Sequence, residues 1–94
     1  MSVELIQKAR LAAETYAAKN LEWALAQPVT EGERQHIVDI AASIIMTRDN
    51  ILQGGGFVEA IIANNLSQAI SRADSTCIKA LKFFVMVKDS AGKF

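Results

Sequence analysis

Apolar side chains recur every three to four residues along the first part of the chain, the spacing of one face of an α-helix. The segment from Val3 to Gln27 is rich in Ala, Leu, Glu and Lys, which favour helix formation. Pro28 lacks a backbone donor and disfavours helical geometry at Gln27, so the first helix is predicted to end there. Its predicted core stripe consists of Leu5, Ala9, Ala12, Tyr16 and Trp23.

A second periodic segment predicts a central core helix from about Glu31 to Leu52. Thr30 and Glu33 have the spacing of a capping box, in which each side chain bonds an exposed backbone N–H at a helix start. The run Gly54–Gly56 is predicted to end this helix, because glycine readily adopts the positive φ found after many helix C-termini. The apolar face comprises Val38, Ala41, Ile45 and Leu52, flanked by isoleucines.

The remaining pattern predicts a jointed pair of helical segments. A short helix over 57–63 is interrupted by Asn64 and Asn65, whose side-chain amides compete for backbone hydrogen bonds. Helical spacing resumes over 66–73, and Asp74 or Ser75 is expected to cap a final helix that reaches about position 88. The apolar run over 83–87 also has a strand interpretation, but no partner strand is evident. The core stripe of the final helix is predicted to be Ile78, Leu81, Phe84 and Val85, and the tail after Asp89 is expected to fray.

These elements predict an all-α protein with a single domain over 1–94, built from two long helices and a jointed C-terminal helical pair. Ten basic residues balance ten acidic ones, so the excess positive charge that attracts nucleic acid or anionic membranes is missing. No signal peptide or membrane span is expected, and a lone cysteine fits a reducing cytoplasm. A 51% hydrophobic content in so small a chain favours a homo-oligomer.

No complete catalytic set is apparent in the sequence. His36 and Cys77, the one histidine and the one cysteine, could form a base and a nucleophile if they met in space, but neither belongs to a reactive-thiol motif. We therefore expect no enzyme activity, no metal, no cofactor, and no requirement for His36 or Cys77. The triple glycine lacks the Lys-Ser/Thr ending of a phosphate-binding loop.

Polar residues beside the predicted glycine turn and asparagine joint are the candidate binding site. If the turn brings the segments together, arginine and asparagine side chains could line one polar pocket for a carboxylate or phosphate. The alternative for each residue is a helix cap or a surface ion pair. The candidate partner-binding residues are Arg48, Asn64, Asn65, Arg72 and Asp74.

The segment from Gly55 onward carries a recognisable pattern: Gly55-Gly56-Phe57-Val58-Glu59-Ala60-Ile61, then Asn64-Asn65-Leu66, Ala69 and Arg72-Ala73-Asp74. This pattern resembles a group of small, largely uncharacterised tailed-phage and prophage accessory proteins. In that group an acidic residue is common where Asn65 stands, and many members have an aromatic-rich tail that this chain lacks.

The resemblance implies a protein made in the host cytoplasm that acts on a host process. The expected function is a non-catalytic inhibitor that binds a host or defence protein. Two alternatives stay open: an oligomeric sponge for a nucleotide immune signal, and a structural or regulatory phage protein.

Overall fold

The described part of the chain, residues 3–91 of the computed structural model, contains six helices and no strand. This confirms the all-α prediction, and the strand interpretation of 83–87 is wrong because those residues lie in the last helix. Within the same residues, no helix combines the length and apolar character needed to cross a bilayer. The helices are α1 (Val3–Ala24), α2 (Glu31–Arg48), α3 (Gly56–Ile62), α4 (Leu66–Arg72), α5 (Ser75–Lys79) and α6 (Leu81–Ser90).

Helix α1 packs on α2 through a face of small side chains. The predicted core stripe is wrong at its two ends, where the side chains of Leu5 and Trp23 are 47% and 58% exposed. Alanines face the core instead, because short side chains let the two helix backbones approach closely. Tyr16 is half-buried, and its ring centroid lies 5.9 Å from that of Phe83. The buried residues of α1 are Ala9, Ala13, Ala17, Leu21 and Ala24.

The first helix ends at Ala24 rather than at Gln27. The backbone N–H of Ala26 donates to the carbonyl of Lys79 at 2.9 Å, outside its own helix. This long-range bond satisfies the end of α5 and draws the chain out of the helical path before Pro28 is reached.

Helix α2 begins as predicted and ends earlier than predicted. Both bonds of the capping box are present, from Glu33 N to Thr30 Oγ1 and from Thr30 N to Glu33 Oε1, each at 3.1 Å. The helix stops at Arg48, and Asn50 then adopts a left-handed conformation with φ 60°. The buried side chains are Ile37, Val38, Ala41, Ala42, Ile44, Ile45 and Met46, so α2 is the central core helix.

The role predicted for the glycine run is wrong, since none of the three glycines has a φ in the left-handed region and α2 already ends at Arg48. Asparagine tolerates the left-handed region, so Asn50 serves that purpose. Gly54 is needed for space instead: a Cβ there would lie 2.7 Å from Ser43 Oγ and 2.8 Å from Val58 Cγ1.

Helices α3 to α6 form two short pairs, with α4 against α3 and α5 leading into α6. The single final helix that the sequence predicts is broken at Ala80, whose φ of −114° and ψ of 17° depart from helical values. The break rotates the buried face of α6 to Phe83, Phe84 and Val87. Consequently Val85, predicted as core, is 39% exposed. Ile78, also predicted as core, lies in α5 and is 45% exposed. Fraying directly after Asp89 is a wrong prediction, because Ser90 is still helical and Ala91 is fully buried, and positions 92–94 lie outside the described residues.

Candidate functional site

Asn64 and Asn65 form the joint between α3 and α4, as predicted. Asn64 has a left-handed backbone with φ 59°, which stops α3. Asn65 is the N-cap of α4, and its Oδ1 accepts a hydrogen bond from Gln68 N at 3.1 Å. Both residues therefore have a structural role at the joint, and their side chains are also exposed at one end of the α3–α4 pair.

Arg72 lies at the opposite end of this pair. Its Nε donates to Gln68 Oε1 at 3.2 Å, and its guanidinium covers the start of α3. A Cβ built on Gly56 would lie 2.6 Å from Arg72 Nη1, so glycine provides the space for this side chain. Arg72 is thus separated along the hairpin from the asparagine joint.

The guanidinium of Arg48 hydrogen-bonds backbone carbonyls at the C-terminal end of α6. Its Nη1 donates to the backbone carbonyls of Val87, Lys88 and Ala91, at 3.2, 3.3 and 2.5 Å. Its Nε and Nη2 donate to the carboxylate of Asp49 at 2.8 and 2.9 Å. A cation at a helix C-terminus satisfies carbonyls that have no partner within the helix. Arg48 therefore fixes the end of α6 against α2.

An apolar groove lies where α3, α4 and α6 meet, and Asn64 and Asn65 form its polar rim. Its cavity has a volume of about 110 Å³. Leu66 is 59% exposed beside it, Ile70 follows one turn later at 48%, and Val85 contributes from α6. Lys88 Nζ donates to Asn64 Oδ1 at the rim. The lining residues of this α3–α4–α6 groove are Ala60, Ile61, Asn64, Asn65, Leu66, Ala69 and Val85.

Asp74 contacts α2 and belongs to a second polar cluster. Its Oδ1 accepts from Cys77 N at 2.8 Å, which makes Asp74 the N-cap of α5. Its other oxygen, Oδ2, lies 3.1 Å from His36 Nε2. One ligand atom each from His36, Asp74 and Cys77 lies within 4.8 Å of the other two. The structure therefore joins the histidine and the cysteine that the sequence left apart.

The protonation of this cluster does not favour a nucleophilic thiol. Burial raises the pKa of Cys77 to about 12, and the neighbouring Asp74 carboxylate acts in the same direction. The backbone N–H of Cys77 lowers the pKa of Asp74, with a smaller contribution in that direction from His36. A thiol in this state is protonated near neutral pH, whereas nucleophilic attack requires the thiolate. His36 and Cys77 therefore lie close together, but the Cys77 thiol is not activated as a nucleophile.

Glu33 connects the first turn of α2 to α5. Its Oε2 accepts from Thr76 Oγ1 and from Lys79 Nζ, both at 3.0 Å. With the Thr30 N–H on Oε1, these donors hold the pKa of Glu33 at about 2, and the Thr30 bond is the largest cause. Because the carboxylate stays charged, this Glu33 contact holds α5 beside His36.

The capping spacing of Asp74 and Cys77 was visible in the sequence, but the approach of His36 was not. An aspartate at an N-cap bonds the amide three residues later, which is a local rule. His36 is 38 positions from Asp74, and only the packing of α5 on α2 brings the two together. Comparison of the chain with protein-family models, curated proteins and solved structures finds no match.

Proposed function

We propose that this chain is a non-catalytic binding protein that inhibits a host protein by holding one of its apolar side chains in the α3–α4–α6 groove. The observation that carries the proposal is the groove itself, with Leu66 in its lining 59% exposed, and with Ile70 one helical turn further along α4 48% exposed. Exposed aliphatic side chains around a pocket are the usual anchor point for an amphipathic partner helix.

The size and rim of the groove support a partner of particular chemistry. A volume of about 110 Å³ lies well below the roughly 300–1,000 Å³ of typical small-molecule sites, and it suits a single aliphatic or aromatic anchor. Asn64 and Asn65 supply side-chain amide donors at the rim. The expected partner segment therefore carries a hydrogen-bond acceptor, such as a carboxylate, beside its apolar anchor.

The resemblance to phage accessory proteins supports a host protein as the partner. Such a protein would act by occupying a surface that the host factor needs, and it would require no chemistry of its own. Asn64 and Asn65 stay predicted partner-binding residues at the groove, and Arg72 stays a predicted one outside it, at the other end of the α3–α4 pair. The cytoplasm of the host is the proposed location.

The nucleotide-sponge alternative has less support. It requires Arg48 for phosphate contacts, yet Arg48 bonds three backbone carbonyls and Asp49, and its side chain is 15% exposed. A larger cavity of about 410 Å³ follows α2, but no lysine or arginine is among its lining residues. Those lining residues are Thr47, Asn50, Ile51, Leu52 and Gln53.

The test uses a photo-crosslinking residue at position 70 in the purified full chain, incubated with bacterial lysate. The captured protein is identified, purified separately and titrated against the unlabelled chain by isothermal calorimetry. Leu66→Gln is expected to weaken this binary complex by at least about tenfold, since loss of an interface anchor commonly costs about 2 kcal/mol.

Leu11→Gln is the matched control. Leu11 is 62% exposed and Leu66 is 59% exposed, but Leu11 lies on α1. Both variants are first compared with the wild type for molar mass and helical circular dichroism. The proposal would be overturned if the captured protein bound the wild type and Leu66→Gln with equal affinity. It would also be overturned if the only crosslinked product were a second copy of this chain.

A further inference from the structure

The His36, Asp74 and Cys77 cluster combines three kinds of metal ligand from two separate parts of the fold. His36 comes from α2, while Asp74 and Cys77 come from the start of α5. Each offers one ligand atom, and these atoms lie within 4.8 Å of one another. Imidazole nitrogen, carboxylate oxygen and thiolate sulfur together suit a borderline cation such as Zn²⁺.

The spacing is close to that of a tetrahedral ion. Zinc bonds of about 2.0–2.3 Å place neighbouring ligand atoms about 3.3–3.6 Å apart. His36 Nε2 and Asp74 Oδ2 already lie 3.1 Å apart. An ion between these atoms therefore needs only a small outward movement of two exposed side chains. Because the three ligand atoms lie within 4.8 Å of one another, the distances from Cys77 Sγ exceed the ligand spacing by roughly 1.5 Å at most.

The surrounding bonds hold the three ligand residues in position. Asp74 accepts the Cys77 amide through Oδ1, so Oδ2 is the oxygen directed at His36. Glu33 bonds Lys79 and Thr76, which fixes α5 at this distance from α2. Such outer bonds orient the ligands of metal sites and raise their affinity.

We infer that His36 Nε2, Asp74 Oδ2 and Cys77 Sγ form a binding site for a single Zn²⁺ ion. Cys77 is 3% exposed and closes the inner side, whereas the side chains of His36 and Asp74 are 47% and 57% exposed. Solvent can therefore reach the ion, and water completes the fourth position. When the ion binds, the Cys77 thiol gives its proton to the solvent and the sulfur–metal bond forms.

The inferred site has a structural consequence that is independent of the α3–α4–α6 groove. Its ligands are brought together only in the folded chain, because His36 is 38 positions from Asp74. An ion that binds the folded state in preference to the unfolded state raises the melting temperature. Zn²⁺ would thus link α5 to α2 and stabilise the C-terminal half.

The experiment uses the purified full chain after removal of metals by a chelator. Co²⁺ is the spectroscopic probe, and Zn²⁺ is the competitor and the ligand in calorimetry and thermal unfolding. We expect one ion per chain, a thiolate-to-cobalt charge-transfer band that Zn²⁺ abolishes, and a higher melting temperature with Zn²⁺. His36→Gln and Asp74→Asn should each lower Zn²⁺ affinity at least about tenfold, as expected when a positioned ligand is lost.

The variants separate a built site from incidental thiol binding. Asp74→Asn keeps a good N-cap for α5, so it removes the carboxylate while preserving the helix start. Asp39→Asn on α2 removes a comparably exposed carboxylate outside the cluster and should leave Zn²⁺ binding unchanged. Cys77→Ser and Cys77→Ala should abolish the charge-transfer band. A missing band in the wild type, or full Zn²⁺ affinity in both His36→Gln and Asp74→Asn, would overturn the inference.

Discussion

Arg48 shows how a residue that looks like a binding group can be part of the framework. Arginine and asparagine near a turn are typical of an anion site, and the sequence contains no signal for the carbonyls that Arg48 meets. Val87, Lys88 and Ala91 are about 40 positions away, so their approach depends on how α6 packs. The local capping roles of Thr30, Asn65 and Asp74 were predictable, because each bond reaches an amide three residues later.

We predict that Arg48→Lys destabilises the protein by about 1–3 kcal/mol, the range for hydrogen bonds to charged groups in partly buried sites. An ammonium cannot reproduce the planar fork that reaches Asp49 and the end of α6 together. Urea unfolding followed by circular dichroism measures the change.

Arg10→Lys is the control, because Arg10 pairs with Asp39 on the surface, where the two side chains are 45% and 47% exposed. Its expected effect is below about 1 kcal/mol. Equal stability of Arg48→Lys and the wild type would show that the carbonyl contacts contribute little.

At the scale of the elements, helical periodicity located the helices but not their inward faces. Leu5, Trp23 and Val85 fit an apolar stripe in sequence, yet all three are exposed. A helix turns its smaller side chains inward where a neighbour is very close, and that distance is a property of the fold. The break at Ala80 was likewise invisible, since alanine is the strongest helix former.

The contact between α2 and α5 through Glu33 predicts acid sensitivity. The pKa of Glu33 is lowered from 4.5 to about 2 in the folded chain. Because the folded pKa is depressed, the stabilisation is fully present above pH 4.5 and is lost as pH falls toward 2. Wild type should therefore exceed Glu33→Gln in stability at neutral pH, and the difference should shrink over that interval.

Urea unfolding of both proteins between pH 7 and about pH 2.5 measures this difference. Glu31→Gln removes a carboxylate from the same first turn without touching Thr76 or Lys79, so it serves as the control. A stability difference for Glu33→Gln that stayed constant across the acid range would contradict the assigned role.

For the whole molecule, the outward side of α1 favours self-association. Leu5 and Trp23 are 47% and 58% exposed, and they lie about five helical turns apart on the same face of this helix. Trp23 also lies under Lys82, whose Nζ is 5.0 Å from the ring centroid. Large apolar side chains spread along one helix are typical of an interface between copies.

We predict that the purified protein is a dimer or higher oligomer at micromolar concentration. Light scattering should give a molar mass that is a multiple of 10.2 kDa. Trp23→Gln should shift the mass toward the single chain while leaving the helical content unchanged. A wild-type particle of 10.2 kDa would reject the prediction.

Helix α4 is attached to the rest of the protein less firmly than the other elements of the groove. It has seven residues, Ala69 is its one buried side chain, and it packs chiefly on α3. Segments with so little buried surface open locally at a free energy far below that of global unfolding. The amides of α4 should therefore exchange with solvent deuterium while the α1–α2 core stays protected. In the proposed binding role, a partner side chain larger than the cavity of about 110 Å³ would enter when α4 opens, and its affinity would be reduced by the free energy of that opening.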